Sequence, residues 1–199
     1  LEDLAAFRAV HSSTVLYPSD ANQTAKLVAA MADLGGISYM RTTRAATPVI
    51  YGADEEFPVG GCKVVRSSDT DGVTIVGAGI TLHEALKAAD TLAEEGINAR
   101  VIDLYSVKPI DVETLRSSAE STGGRMLVVE DHWPEGGLGE AVLSAFVDTD
   151  ERPRILHLAV REMPTSGKPE ELLAAAGIDA DHIATAAREL VGAAVGASK

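Results

Sequence analysis

From Cys62 onward, short apolar runs alternate with amphipathic helical stretches, and this alternation restricts the possible fold more than any other feature. Strand patterns at Ala99–Leu104, Met126–Val129 and Arg154–Val160 are separated by helical patterns, one opening at Asp111 and one spanning Gly136–Phe146. Strands joined through helices run parallel, because a parallel pair needs a crossover and a helix is the usual one. Met126–Val129 is apolar at every position, as suits a strand buried on both faces. Two further helices are expected near Glu170–Ala176 and Ala180–Val191. Ahead of them, Cys62–Arg66 and Val73–Val76 flank Asp69-Thr70-Asp71-Gly72, a hairpin-turn signal, with the first strand expected as an antiparallel edge. Gly77-Ala78-Gly79 then leads into a helix whose Thr81 and Glu84 stand at capping-box spacing. The reading is a complete three-layer α/β domain over residues 62–199, with a mostly parallel sheet and one antiparallel edge strand.

The first 43 residues read differently. Ser13–Tyr17 is a short strand stopped by Pro18, and Asp20 with Gln23 forms a capping box for a helix through Leu34. Gly35-Gly36 ends that helix and Ile37–Thr42 is the next strand, giving a β-α-β unit. Two strands cannot close a core, so the rest of this sheet is expected elsewhere, upstream of the unit. Leu1-Glu2-Asp3-Leu4-Ala5-Ala6-Phe7 reads as a helix already under way with no cap before it, which suggests a piece of a longer chain. Between the two regions, residues 44–61 lose periodicity and carry Pro48, Gly52, Pro58, Gly60 and Gly61, a linker composition. The expected organisation is therefore 1–43, a linker at 44–61, and 62–199.

An apolar fraction of 46% with 24% charged residues suits a globular protein with a real core. The net charge of −13, without a basic run, argues against nucleic acid and against anionic membrane surfaces, since both need clustered Lys and Arg. Cys62 is the sole cysteine, so an intrachain disulfide or a cysteine-based zinc site is excluded, in keeping with a reducing cytoplasm. No stretch has the length of a membrane span and no signal-peptide pattern opens the chain.

Several clusters could carry chemistry. Gly77-Ala78-Gly79-Ile80-Thr81-Leu82 after a strand, with Asp103 in the next strand, has the outline of a nicotinamide-nucleotide site. Leu82 stands where the third glycine should be, which favours a tight strand-to-helix turn instead. Glu130-Asp131-His132 ends a buried strand and is followed by Gly136-Gly137-Leu138-Gly139. That arrangement could bind an anion or a metal, or serve in regulation and assembly, or simply cap the next helix and hold neighbouring loops. His83, His157 and His182 read as structural or surface residues, and His11 is unassigned. No Gly-x-Ser-x-Gly elbow supports a hydrolase. Arg41 and Arg44 flank Thr42-Thr43 at the carboxyl end of a strand, a ligand-facing position in an open sheet, where a guanidinium could fork onto a phosphate or join a surface ion pair.

Set together, Leu1-Glu2-Asp3-Leu4-Ala5, Tyr17-Pro18-Ser19-Asp20, Arg41-Thr42-Thr43-Arg44, Val76 to Leu86, Val129-Glu130-Asp131-His132, Glu135 to Val142, His157-Leu158-Ala159-Val160 and Ser166-Gly167-Lys168-Pro169 resemble the transketolase family, especially its animal-type branch. The matches run in order along almost the whole chain. The resemblance implies a thiamine-diphosphate- and Mg²⁺-dependent transferase of the pentose phosphate pathway, cytoplasmic and homodimeric, which moves a two-carbon ketol unit from a ketose phosphate to an aldose phosphate. It implies that residues 1–43 are the tail of the pyrimidine-binding domain and 62–199 the carboxy-terminal domain.

By the same resemblance, Arg44 binds a sugar phosphate, and no catalytic, cofactor-binding or metal-binding residue lies in this chain. The cofactor and metal are expected in the missing amino-terminal part of the enzyme, which becomes this chain's partner, and the fragment by itself is expected to be inactive. Residues Glu130 to His132 then fall back towards folding and subunit packing.

Overall fold

A computed structural model describes residues 1–150 and 152–196. In chain order the elements are α1 (Asp3–Arg8), β1 (Thr14–Leu16), α2 (Ala21–Ala32), β2 (Ser38–Met40), β3 (Lys63–Arg66), β4 (Asp71–Gly77), α3 (Ile80–Glu94) and β5 (Asn98–Asp103). They continue with β6 (Ser106–Lys108), α4 (Val112–Ser121), β7 (Arg125–Val129), α5 (Leu138–Ser144), β8 (Arg154–Leu158), α6 (Pro169–Ala175) and α7 (Ala180–Gly196).

The β-α-β unit forms as expected. β1 and β2 pair in parallel from Thr14 opposite Ser38 to Leu16 opposite Met40. Asp20 caps α2 by accepting from the Gln23 amide at 2.8 Å. The return half of the box is shifted by one residue, since Gln23 Oε1 accepts from the Ser19 amide at 2.6 Å. The third strand of this sheet comes from downstream: β6 pairs antiparallel with β1, giving the order β2-β1-β6. The expectation of an upstream strand overlooked β6 because three residues carry too little periodicity to register.

The five-stranded sheet has the order β3-β5-β4-β7-β8. β4, β5, β7 and β8 run parallel, and β3 is the antiparallel edge. The expected hairpin is absent: β3 pairs with β5, and β5 lies between β3 and β4. Residues 67–70 can span two strand spacings, about 10 Å, so nothing forces β3 to pair with its sequence neighbour. β4 is buried along nearly all its length and takes β5 and β7 on its two sides. The partly exposed β3, with Lys63 and Arg66, suits an edge.

Alternating strand residues build two layers of core. Val73, Ile75, Val101, Leu127 and Val129 face α3 and α7. Val76, Ile102, Met126 and Val128 face the opposite layer, with Leu115 of α4 and Leu138, Ala141 and Val142 of α5. Helix α3 buries Leu82, Ala85, Ala89 and Leu92, one stripe at helical spacing, while Lys87, Asp90 and Glu94 face solvent. Each fully buried leucine of that stripe contributes about 2 kcal/mol of hydrophobic transfer energy.

The expected capping box at Thr81 and Glu84 does not form. Helix α3 begins at Ile80, and the Glu84 carboxylate instead accepts from Lys87 Nζ at 2.7 Å and from the Ala180 amide at 3.0 Å, tying α3 to α7.

The first 43 residues pack directly on the larger sheet. Leu4, Val15 and Tyr17 share the core layer of α4 and α5. Lys108 Nζ donates to the carbonyls of Arg8 and Val10 at 2.8 and 2.7 Å, placing a cation at the carboxyl end of α1. Among the described residues no helix is long and apolar enough to cross a membrane.

Candidate functional site

An open α/β sheet offers ligands the crevice at its strand carboxyl ends, where the strand order reverses. Here that crevice lies beyond β4 and β7, and the protein fills it with its own Tyr17. Gly79 has φ 56°, and a Cβ there would fall inside the Tyr17 ring. The Tyr17 hydroxyl donates to Asp131 Oδ2 at 2.9 Å, and burial drives its pKa well upward. Thr81 Oγ1 lies 2.9 Å from the Val129 carbonyl and closes the floor of the turn. The small residues of Gly77-Ala78-Gly79 therefore make room for a tyrosine ring, and the nicotinamide reading loses its site. Asp103, its supposed ribose contact, is fully buried elsewhere.

The second glycine turn is also filled from within. Glu130, 2% exposed, accepts from the Leu138 and Gly139 amides at 2.5 and 3.0 Å and so occupies the amino-terminal end of α5. His157 Nε2 reaches the same carboxylate at 2.5 Å. Arg8 binds the carbonyls of Gly136 and Gly137. His132 is completely buried, with Nδ1 2.7 Å from the Trp133 carbonyl and Nε2 3.4 Å from the Ala5 amide. Nδ1 donates to the carbonyl and Nε2 accepts from the amide. The cluster Glu130, Asp131 and His132 thus caps a helix and binds α1, β1 and β2 to the end of β7. His83 also has a structural partner, the Ser19 carbonyl at 2.7 Å, and His182 pairs with Asp179 at 2.6 Å. His11 is exposed.

The structure separates the two arginines that follow β2. Arg41 is 14% exposed and fully engaged. Its Nε lies 3.3 Å from Asp3 Oδ2, Nη1 3.3 Å from Asp131 Oδ1, and Nη2 donates to the Asp131 carbonyl at 3.0 Å. The guanidinium also stacks over the Tyr17 ring, 5.1 Å from its centroid. Burial works against its charge, but Asp131, Tyr17 and Asp3 outweigh that and raise its pKa. Asp131 is itself pushed upward by burial, with Arg41 and Tyr17 opposing the shift. Arg44, three residues on, is exposed, and among the described residues no hydrogen bond or ion pair holds its side chain. The adjoining residues Ala45, Thr47 and Pro48 line a cleft of about 430 Å³ with Ile80, His83 and Lys87 of α3.

A second anchor, missed in the sequence, lies at the other end of this segment. Asp20 Oδ2 accepts from the amides of Ile50 and Tyr51 at 2.8 and 2.9 Å. Asp103 accepts from Ser19 Oγ at 2.9 Å, Gln23 Nε2 at 2.8 Å and the Tyr51 hydroxyl at 2.7 Å. Burial pushes the Asp103 carboxyl up to about 6, against the pull of those donors. The available signal was an acid following the apolar pair Val101-Ile102 at the end of a parallel strand, which must find partners once buried. Residues 42–49 therefore form a strap between two anchors, with Arg44 on it.

The described residues do not fit a magnesium-bound diphosphate. They hold no group of three or more His, Cys, Asp or Glu that could bind a metal, and Asp103, Glu130 and Asp131 all face protein donors.

Residues 61–183 match the family model "Transketolase, C-terminal domain". Human transketolase is 52% identical over 191 residues, covering 96% of this chain and 30% of the human protein. Transketolase-like protein 1 of Bos taurus is 51% identical, covering 96% of this chain and 32% of that protein. The chain spans about a third of the length of these curated relatives. Among solved structures, a split-gene transketolase described as an inactive β4 tetramer superposes with a TM-score of 0.87 at 36% identity, covering 96% of this chain and 61% of that one. A Pichia stipitis transketolase mutant, 21% identical, shares the fold with a TM-score of 0.74 over 96% of this chain and 27% of its own. With the family model covering more than half of its length, this chain belongs to the transketolase carboxy-terminal domain family.

Proposed function

We propose that this chain is the carboxy-terminal part of a transketolase, a transferase that passes a two-carbon ketol unit from a ketose phosphate to an aldose phosphate in the pentose phosphate pathway. In this reading the enzyme is a cytoplasmic homodimer. Thiamine diphosphate and Mg²⁺, held by the remainder of the enzyme, supply the chemistry that breaks the bond between the second and third carbons of the ketose. The present residues contribute a phosphate contact and much of the subunit-packing surface, with no turnover of their own. The similar split-gene chain, an inactive β4 tetramer, supports a packing role without activity.

The observation that carries the phosphate assignment is the division of labour after β2. Arg41 is spent on Asp3, Asp131 and Tyr17, whereas Arg44 presents an uncommitted guanidinium at the carboxyl end of a parallel strand. A guanidinium forks onto phosphate oxygens and stays charged at all physiological pH. The test is Arg44→Ala in the complete enzyme. KM should rise far more for phosphorylated than for unphosphorylated sugars, and equal effects on both would rule out the phosphate role.

A further inference from the structure

Among the described residues, the hydrogen bond made within residues 42–49 is local to the strap, from the Thr43 hydroxyl to the Ala45 carbonyl at 3.1 Å. The long-range hydrogen bonds and ion pairs that tie this segment down lie at its two anchors. At the far anchor, Asp20 and Asp103 hold Ile50 and Tyr51. The near anchor is Arg41, whose amide donates to the Leu16 carbonyl at 2.9 Å and whose guanidinium is gripped by Asp131 and Asp3. Arg44 is only three residues from Arg41, at most about 10 Å of chain, so the near anchor restricts it more strongly.

Asp131 is the rigid half of that near anchor. It lies just beyond β7, a strand paired on both sides, and it presents both its carbonyl and its carboxylate to Arg41. Its other carboxylate oxygen is fixed by the Tyr17 hydroxyl at 2.9 Å. A two-pronged grip on a planar guanidinium sets direction as well as distance. We propose that Asp131 is a positioning residue for Arg44: through Arg41 it fixes where the strap leaves β2, so that the larger sheet sets the geometry of the phosphate contact. This rests on the reading of Arg44 as a phosphate ligand.

The experiment is a double-mutant cycle in the complete, cofactor-loaded enzyme carrying this segment. Asp131→Asn should raise KM for phosphorylated sugars roughly fivefold and for unphosphorylated sugars much less. In an Arg44→Ala background the same substitution should change KM for phosphorylated sugars less than about twofold, because the residue it positions is gone. A loss merely of stability would raise both KM values or lower kcat without discrimination, and that result overturns the proposal. So does an Asp131→Asn effect that persists in full without Arg44. Should Asp131→Asn lose its thermal unfolding transition, Arg41→Lys is read in the same way, since it keeps the charge and loses the fork. If Arg44→Ala does not discriminate between the two kinds of sugar, the underlying phosphate assignment fails. If it discriminates and neither anchor variant does, only the positioning role fails.

Discussion

Replacing Asp103 by Asn should change how stability depends on pH, in a direction set by burial. Asp103 is fully buried and its carboxyl is pushed up to about 6 from an unfolded value of 3.8. A carboxyl raised in the folded state holds its proton where the unfolded chain has released it. Between pH 3.8 and 6 the native state then binds more protons, so stability falls as pH rises through that window. The total loss is about 3 kcal/mol, of which about 2 kcal/mol falls between pH 4.5 and 7.5. Asn fits the same cage, with its oxygen towards Gln23 and Tyr51 and its amide nitrogen towards the Ser19 hydroxyl, and it does not titrate. Urea unfolding of the chain and of the Asp103→Asn variant across that range gives the difference, in which titrating groups not coupled to Asp103 cancel. The variant should gain about 2 kcal/mol on the parent chain from pH 4.5 to 7.5. A difference flat in pH would show that the three donors hold the carboxylate ionised at its usual value, and the argument from burial would be wrong.

Cys62 should resist a thiol-exchange reagent at pH 8 in the folded chain and react readily once unfolded, because burial, with Asp111 beside it, pushes the thiol up to about 12. Equal rates in the two states would contradict that burial. Gly139→Ala should cost about 2–3 kcal/mol in denaturant unfolding, since a Cβ there would enter the ring of His157 where it packs against Glu130. A cost below about 0.5 kcal/mol would mean that the ring can move aside.

Much of the larger sheet was legible because its strands are short, mostly apolar runs alternating with helical patterns. The runs at Ala99–Leu104 and Met126–Val129 announce buried parallel strands, Asp20 announces a helix cap that forms as expected, and the helix expected from Asp111 forms with that residue as its cap. What could not be read were choices made by distant parts of the chain. The Asp69-Thr70-Asp71-Gly72 turn has hairpin chemistry, yet β5 takes the place beside β4, a preference that belongs to the assembled sheet. Thr81 looks like a cap, but its hydroxyl is drawn to the Val129 carbonyl. At the candidate site, spacing alone leaves Arg41 and Arg44 equivalent; the family resemblance points to Arg44, and the positions of Asp3 and Asp131 give the physical distinction. The far anchor was hidden because Asp20, Ser19, Gln23, Tyr51 and Asp103 are brought together only by tertiary packing.

The claim on which the rest depends is that Arg44 meets a phosphate, and steady-state kinetics of Arg44→Ala in the complete enzyme tests it most directly. Loss of a charge-assisted contact should raise KM for phosphorylated sugars roughly 10- to 100-fold. KM for unphosphorylated sugars should stay within about twofold of the parent enzyme. A comparable rise for both kinds of sugar, or no rise for either, would contradict the assignment.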